Sequence, residues 1–137
     1  MDCIIEEVKE AVCQVYKKLN NCNLEDASKS TNEKNETNDE VIIIDDEANK
    51  IFESIFLKSE YIKAYISEEN AEIKYNKKIS NKSKYIIACD PIDGSKNIDI
   101  NITTGSIFSI FKENNNGEIA SGRDIVCSGY SLFGICT

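Results

Sequence analysis

The run Asp90-Pro91-Ile92-Asp93-Gly94-Ser95 directly follows an apolar segment at residues 85–89. That segment is short, rich in β-forming residues and bounded by breakers, which predicts a buried strand. The two carboxylates then stand at a strand end, where ligands of open α/β sheets bind. Pro91 fixes the backbone and Gly94 lets it turn with its amides exposed, which suits divalent cations and phosphate. The alternative is an ordinary strand-to-turn junction, because Asp, Pro and Gly are common turn residues.

A second acidic pair, Glu68-Glu69, ends another predicted strand at residues 65–67. Two such strand ends suggest that four carboxylates converge on one edge of a sheet. Without counter-ions these groups would repel one another and would be costly to remove from water. A cluster of Mg²⁺ or similar ions is therefore predicted, although Glu68-Glu69 taken alone is more typical of a solvated turn.

Several motifs, in one order along the chain, resemble the metal-dependent sugar-bisphosphatases of the class 1 fructose-1,6-bisphosphatase family. The resemblance runs from about residue 36 to the end, and more weakly through the first predicted helix. It implies a mixed α/β layered fold of which this chain is the amino-terminal half. The matching motifs are Asp45 with Ala48-Asn49, Ser67-Glu68-Glu69, Asp90-Pro91-Ile92-Asp93-Gly94-Ser95, Asn97-Ile98-Asp99, Gly105-Ser106-Ile107-Phe108, Gly122-Arg123 and Gly129-Tyr130-Ser131-Leu132-Phe133-Gly134.

The resemblance also implies a role for each matching site residue. It implies a site for two or three Mg²⁺ ions, which Mn²⁺ can replace. The implied metal ligands are Glu68, Asp90, Asp93, the Ile92 carbonyl and Asp39.

The attacking water, by the same resemblance, is oriented and deprotonated by Glu69 and Asp45. The phosphate being cleaved is held by Asp93 and by the amides of Gly94 and Ser95. These roles agree with two-metal hydrolysis, in which the ions activate water and stabilise the leaving alkoxide.

The activity implied by the resemblance is Mg²⁺-dependent hydrolysis of the 1-phosphate of fructose-1,6-bisphosphate. Two alternatives stay open: a sedoheptulose-1,7-bisphosphatase, and a non-catalytic remnant that binds metal without turnover. Family enzymes are more than twice as long, so we expect the sugar-binding half to be absent and this chain alone to be nearly inactive. We expect residues 1–35 to form a helix and a polar loop, and residues 36–137 to form the catalytic half-domain.

Composition excludes several other classes. The 137 residues carry a formal net charge of −8, which argues against nucleic acid as a partner. The sequence has no His, which excludes Ser–His and Cys–His catalysis. Six cysteines lack CxxC spacing, which predicts reduced packing residues in a cytoplasmic protein. The sequence shows no signal peptide and no apolar run long enough for a membrane span, so we expect no membrane partner. The resemblance implies a sugar bisphosphate as the partner and homo-oligomers for full-length members.

Periodicity predicts the individual elements. Amphipathic patterns predict helices at residues 4–19 and 46–58, and polar composition predicts a flexible loop at residues 20–40. Short apolar runs and alternation predict strands at residues 41–44, 97–102 and 107–112. A hairpin turn is predicted at residues 114–117, followed by a last helix at residues 123–133 that Gly134 caps.

Overall fold

Two amphipathic helices and a mixed sheet form the core of the computed structural model, which describes residues 1–21, 30–34, 40–100, 102–113 and 121–134. Helix α1 (Asp2–Asn21) buries one stripe, and helix α2 (Ile43–Phe56) buries another that includes Phe52 and Phe56. The stripe of α1 is spaced at three and four residues, as expected for a helix with one apolar face. Its members are Ile4, Val8, Ala11 and Val15.

The larger sheet has five strands in the order β4-β3-β5-β6-β7. Strands β3 and β5 are parallel, and the other neighbouring pairs are antiparallel. A separate antiparallel pair consists of β1 (Ser30–Lys34) and β2 (Glu40–Ile42). The strands of the larger sheet are β3 (Ile62–Ser67), β4 (Lys74–Tyr75), β5 (Tyr85–Asp93), β6 (Thr104–Lys112) and β7 (Ile125–Phe133).

Both helices pack on the sheet face that carries Tyr65, Ile87 and Ile110. These three residues lie in register on β3, β5 and β6, and each has no measurable solvent exposure. They belong to one apolar cluster with the buried stripes of α1 and α2. The fold is thus the mixed α/β class that the sequence predicts. Within the described part of the chain, no helix has the length and apolar character needed to cross a membrane.

The predicted last helix at residues 123–133 is wrong. A 3₁₀ turn at Gly122–Asp124 leads into β7, which pairs along its length with β6. The β-branched Ile125 and Val126 favour a strand, and the central Gly129 is unfavourable in a helix interior. Gly134 is only a weak signal for the end of a helix, and the antiparallel pairing of β7 with β6 outweighs it.

The predicted strand at residues 97–102 is also wrong, because Ser95–Ile100 forms a 3₁₀ helix. The alternating Ile residues do not share a buried face: Ile98 is buried, whereas Ile100 is 66% exposed. Local hydrogen bonds favour the 3₁₀ helix over a strand here, because the Asn97 N–H donates to the Gly94 carbonyl three residues earlier.

Smaller differences concern element boundaries. Helix α2 begins at Ile43, so the predicted strand at residues 41–44 ends at Ile42. The predicted loop at residues 20–40 contains the end of α1 and strand β1. Strand β5 continues through Asp93 beyond its predicted end. The turn at residues 114–117 lies outside the described residues, and the division of the chain at residue 35 stays a prediction.

Candidate metal and phosphate site

The parallel pair β3–β5 places two acidic residues side by side at one edge of the sheet. Ser67 at the end of β3 lies in register with Cys89 of β5. An acid follows each of these residues, Glu68 directly after the end of β3 and Asp90 within β5. Because parallel strands end at the same edge, both carboxylates reach the same side of the molecule.

A short turn fixes the pair Glu68-Glu69. The Asn70 N–H donates to the Ser67 carbonyl over 3.2 Å, and the Glu69 N–H donates to Ser67 Oγ over 3.3 Å. Ser67 is buried, so its hydroxyl replaces water at this turn. Ser hydroxyls commonly stabilise turns in this way.

The second acidic motif is held by an irregularity in β5. The β5–β6 register shifts between Asp90 and Asp93. The Ile92 N–H donates to Asp90 Oδ1 over 3.1 Å, and Ser106 Oγ of β6 donates to the Pro91 carbonyl over 2.5 Å. Bulges of this kind re-aim side chains beside functional sites.

Helix α2 contributes Asp45 from its first turn. Asp45 is only 7% exposed, and its Oδ2 accepts a hydrogen bond from Ser95 Oγ over 2.8 Å. Ser95 follows Gly94, whose φ of +80° lies in the left-handed region that favours glycine. The bond ties the turn after β5 to the start of α2.

The surroundings of Glu69 disfavour its charged form. Burial, then the nearby charges of Asp45, Glu68 and Asp46, raise the pKa of Glu69 to about 7. A carboxyl with such a pKa is partly protonated at neutral pH.

Asp90 shows the same effect. Burial, then the charges of Glu68 and Asp93, raise the pKa of Asp90 to about 7. Five of the predicted site residues therefore form one electrostatic cluster: Asp45, Glu68, Glu69, Asp90 and Asp93.

An open cavity of about 620 Å³ borders this cluster. Glu68, Asp90 and Asp93 line it together with apolar side chains of β5 and β6, such as Ile107 and Phe108. A cavity with acids at one end and an apolar wall suits a small polar ligand bound through cations.

The donor set fits hard divalent cations such as Mg²⁺, which take carboxylate and carbonyl oxygens. Burial first, and then the neighbouring charges, raise the pKa values of Glu69 and Asp90, and a bound cation offsets both effects by favouring the charged carboxylates. Among the described residues, however, no group of three or more acidic or Cys side chains is already arranged to hold an ion. Closing a site around a cation thus requires the side chains to move. Asp39, the remaining predicted ligand, lies outside the described residues.

Sequence reasoning missed the polar residues beneath the acids. Asn49 of α2 accepts a hydrogen bond from Tyr65 Oη over 2.8 Å and donates to Asn70 Oδ1 over 3.0 Å. Asn49 belongs to the motif of Asp45 with Ala48-Asn49. Nothing in the sequence indicates its partners, because Tyr65 is 16 residues away and Asn70 is 21 residues away.

The fold and the site define an α/β protein with an acidic cluster at the carboxyl edge of its sheet. A family model described as the amino-terminal domain of fructose-1,6-bisphosphatase matches residues 1–137. This chain therefore belongs to the fructose-1,6-bisphosphatase family.

Individual relatives agree with the family model. The class 1 fructose-1,6-bisphosphatase of Maridesulfovibrio salexigens is 34% identical over 131 residues, covering 90% of this chain and 39% of the relative. The class 1 fructose-1,6-bisphosphatase of Colwellia psychrerythraea is 34% identical over 143 residues, covering 98% of this chain and 43% of the relative. The chain thus spans about two-fifths of the length of these relatives.

A solved structure shows the same fold. The crystal structure of Leishmania major fructose-1,6-bisphosphatase in holo form matches with a TM-score of 0.84 at 25% identity. The match covers 96% of this chain and 44% of that one.

Proposed function

We propose that this chain supplies the metal and water-activating part of a Mg²⁺-dependent phosphatase that hydrolyses the 1-phosphate of fructose-1,6-bisphosphate. The observation that supports it best is the cluster of five acids at the carboxyl edge of β3 and β5, with the pKa values of Glu69 and Asp90 both raised to about 7. Family membership supplies the reaction class.

In this proposal Glu69 is the general base, and Asp45 shares the water with it. Glu69 acts as a base in its charged form, which bound cations would favour by offsetting the burial and the neighbouring charges that raise its pKa without metal. Ser95 Oγ donates to Asp45 Oδ2, which orients this carboxylate beside the attacking water. The turn at Asp93, Gly94 and Ser95 binds the phosphate being cleaved.

Glu68, Asp90, Asp93 and the Ile92 carbonyl are the proposed metal ligands, with Asp39 as a further predicted one. Bound Mg²⁺ or Mn²⁺ would supply charge that lowers the pKa of water and stabilises the leaving alkoxide. An acidic protein thereby acquires affinity for a polyanionic sugar phosphate. The ligand residues themselves hold the ions in place and supply the negative charge that balances them.

Calorimetric titration of this chain with Mn²⁺ and Mg²⁺ tests the metal site. We expect saturable binding that Asp90→Asn weakens more than about tenfold, since altering groups around a metal commonly costs 10–100-fold in affinity. Glu72→Gln removes an exposed acid from the turn after the site and serves as the matched control. Absence of saturable binding, or equal affinity in Asp90→Asn, overturns the proposed site.

Catalysis is tested in a chimera, because the chain spans two-fifths of its relatives. This chain replaces the matching segment of the Colwellia psychrerythraea enzyme, and phosphate release is measured with fructose-1,6-bisphosphate and with sedoheptulose-1,7-bisphosphate. Glu69→Gln is expected to lower kcat about 10²–10⁴-fold with little change in KM. A folded, metal-binding chimera that releases no phosphate contradicts the proposal, as does a Glu69→Gln variant as active as Glu72→Gln.

A further inference from the structure

A chain of three hydrogen bonds runs through the interior beneath the acidic cluster. Cys89 Sγ donates to Tyr65 Oη over 3.5 Å, and Tyr65 Oη donates to Asn49 Oδ1 over 2.8 Å. Asn49 Nδ2 then donates to Asn70 Oδ1 over 3.0 Å. We call these four residues the buried relay. Tyr65 has no measurable exposure and Asn49 is 5% exposed, so water does not compete for the bond between them.

The relay joins the three elements that carry the acids. It begins on β5, crosses β3 and α2, and ends in the turn after β3. Three of its members are neighbours of proposed site residues. Cys89 directly precedes Asp90, Asn70 directly follows Glu69, and Asn49 lies one helical turn after Asp45.

Packing alone does not explain the polar atoms of the relay. The Tyr65 ring already packs against Phe56, with ring centroids 5.8 Å apart, and a phenylalanine would fill the same space. Burying a hydroxyl and an amide costs free energy that their hydrogen bonds only offset. Such a network therefore contributes more to a defined geometry than to stability.

We propose that Tyr65 and Asn49 are positioning residues that set the spacing of two metal ligands, Asp90 on β5 and Glu68 in the turn after β3, for metal binding. The inference rests on the proposed function, since it assigns the relay to that metal site. Repelling carboxylates tend to spread apart, and the relay anchors the backbone beside each of them. Groups that orient metal ligands in this way commonly change metal affinity 10–100-fold when removed.

The test compares Mn²⁺ affinity with folding stability in four versions of this chain. Tyr65→Phe removes two bonds of the relay and keeps the ring, and Asn70→Ala removes the terminal bond at a partly exposed position. Phe52→Leu is the matched control, because it loosens the buried core on α2 and removes no hydrogen bond of the relay. Each protein is titrated calorimetrically with Mn²⁺ at a temperature where circular dichroism shows it fully folded.

We expect Tyr65→Phe and Asn70→Ala to bind Mn²⁺ about tenfold or more weakly than the unaltered chain. Phe52→Leu is expected to melt at a lower temperature yet bind Mn²⁺ normally, which separates positioning from general destabilisation. Normal affinity in both relay variants overturns this inference and leaves the proposed function standing. Failure of the unaltered chain to bind Mn²⁺ overturns the proposed function and this inference together.

Discussion

Single carboxylates at the edge of β3 and β5 determine the electrostatics of this molecule. Glu69 and Asp90 each have a raised pKa, and each counts Glu68 among the causes. Charges arranged in this way stabilise a bound cation and destabilise the protein without one. The proposed metal binding and the stability of the chain therefore make opposite demands on the same residues.

Asp90→Asn is predicted to stabilise the chain while it weakens metal binding. Asn keeps an oxygen that accepts the bond from the Ile92 N–H and removes one charge from the repulsive cluster. We expect the free energy of unfolding in EDTA at pH 8 to rise by about 1 kcal/mol, a value discounted for partial solvent screening. Urea unfolding measures it, and a loss of stability in EDTA would count against repulsion at this site.

Glu7 offers a test of pH dependence away from the site. Burial, offset partly by a hydrogen bond with Ser59, raises the pKa of Glu7 above its ordinary value of 4.5, and Glu10 and Glu60 add to the rise. The folded state thus holds this proton more tightly than the unfolded state. Stability contributed by the protonated form is present below pH 4.5 and is lost as pH rises through the raised pKa.

Glu7→Gln is therefore expected to increase stability at pH 7–8 by about 0.5 kcal/mol, the scale of a screened charge. The difference from the unaltered chain should vanish below pH 4, where Glu7 is neutral in both states. Glu6→Gln, on the exposed side of the same helix turn, is the control. A difference that stays constant across the pH range would show that charge burial is not its cause.

At the scale of elements, the sequence predicted best where an element has its own periodic pattern. Helices α1 and α2 and the strands that precede the acidic motifs follow from local patterns of apolar residues. The local pattern at β7 predicts a helix, whereas the structure has a strand there. Pairing with β6 decides this, and a local pattern does not reveal such pairing. The buried relay escaped prediction for the same reason, since its hydrogen bonds join residues distant in sequence.

The β6–β7 pair depends on close approach at Gly105. Gly105 lies in register with Leu132, and a Cβ at this position would overlap the Ser131 carbonyl oxygen. Backbone atoms of a strand cannot move aside without loss of ladder hydrogen bonds. We predict that Gly105→Ala lowers the free energy of unfolding by about 1–3 kcal/mol, the usual cost of overpacking.

Gly122→Ala is the control for this prediction, because nothing lies within 4 Å of a Cβ built there. Thermal melts of the two variants compare the sites directly. Equal melting temperatures would mean that β6 and β7 adjust without cost. A large loss only in Gly105→Ala would confirm that the strands are locked together at this point.

At the scale of the whole molecule, the two faces of the sheet differ. The face that carries Tyr65 and Ile110 is covered by α1 and α2. On the opposite face Ile107 lies in register with Tyr130, and these are 47% and 74% exposed. Leu132, two residues further along β7, is 68% exposed, so a continuous apolar patch borders the acidic cavity.

This patch also lies at an edge of the sheet as far as the structure describes it, since β7 is the last of the described strands. Exposed edges and apolar faces both favour association with another copy of the same chain. We predict that the chain self-associates in solution and that replacing both Tyr130 and Leu132 by Thr suppresses it. Thr keeps a high β propensity while it removes most of the apolar area, so β7 is retained.

Sedimentation velocity over a series of protein concentrations measures this effect. Each of the two side chains is worth about 1.5–3 kcal/mol if fully buried between copies, so the double variant should associate at least about tenfold more weakly. Ile79→Thr is the control, because Ile79 is 54% exposed but lies outside the sheet. If the double variant and the control associate as strongly as the unaltered chain, the exposed face is not the surface that joins the copies.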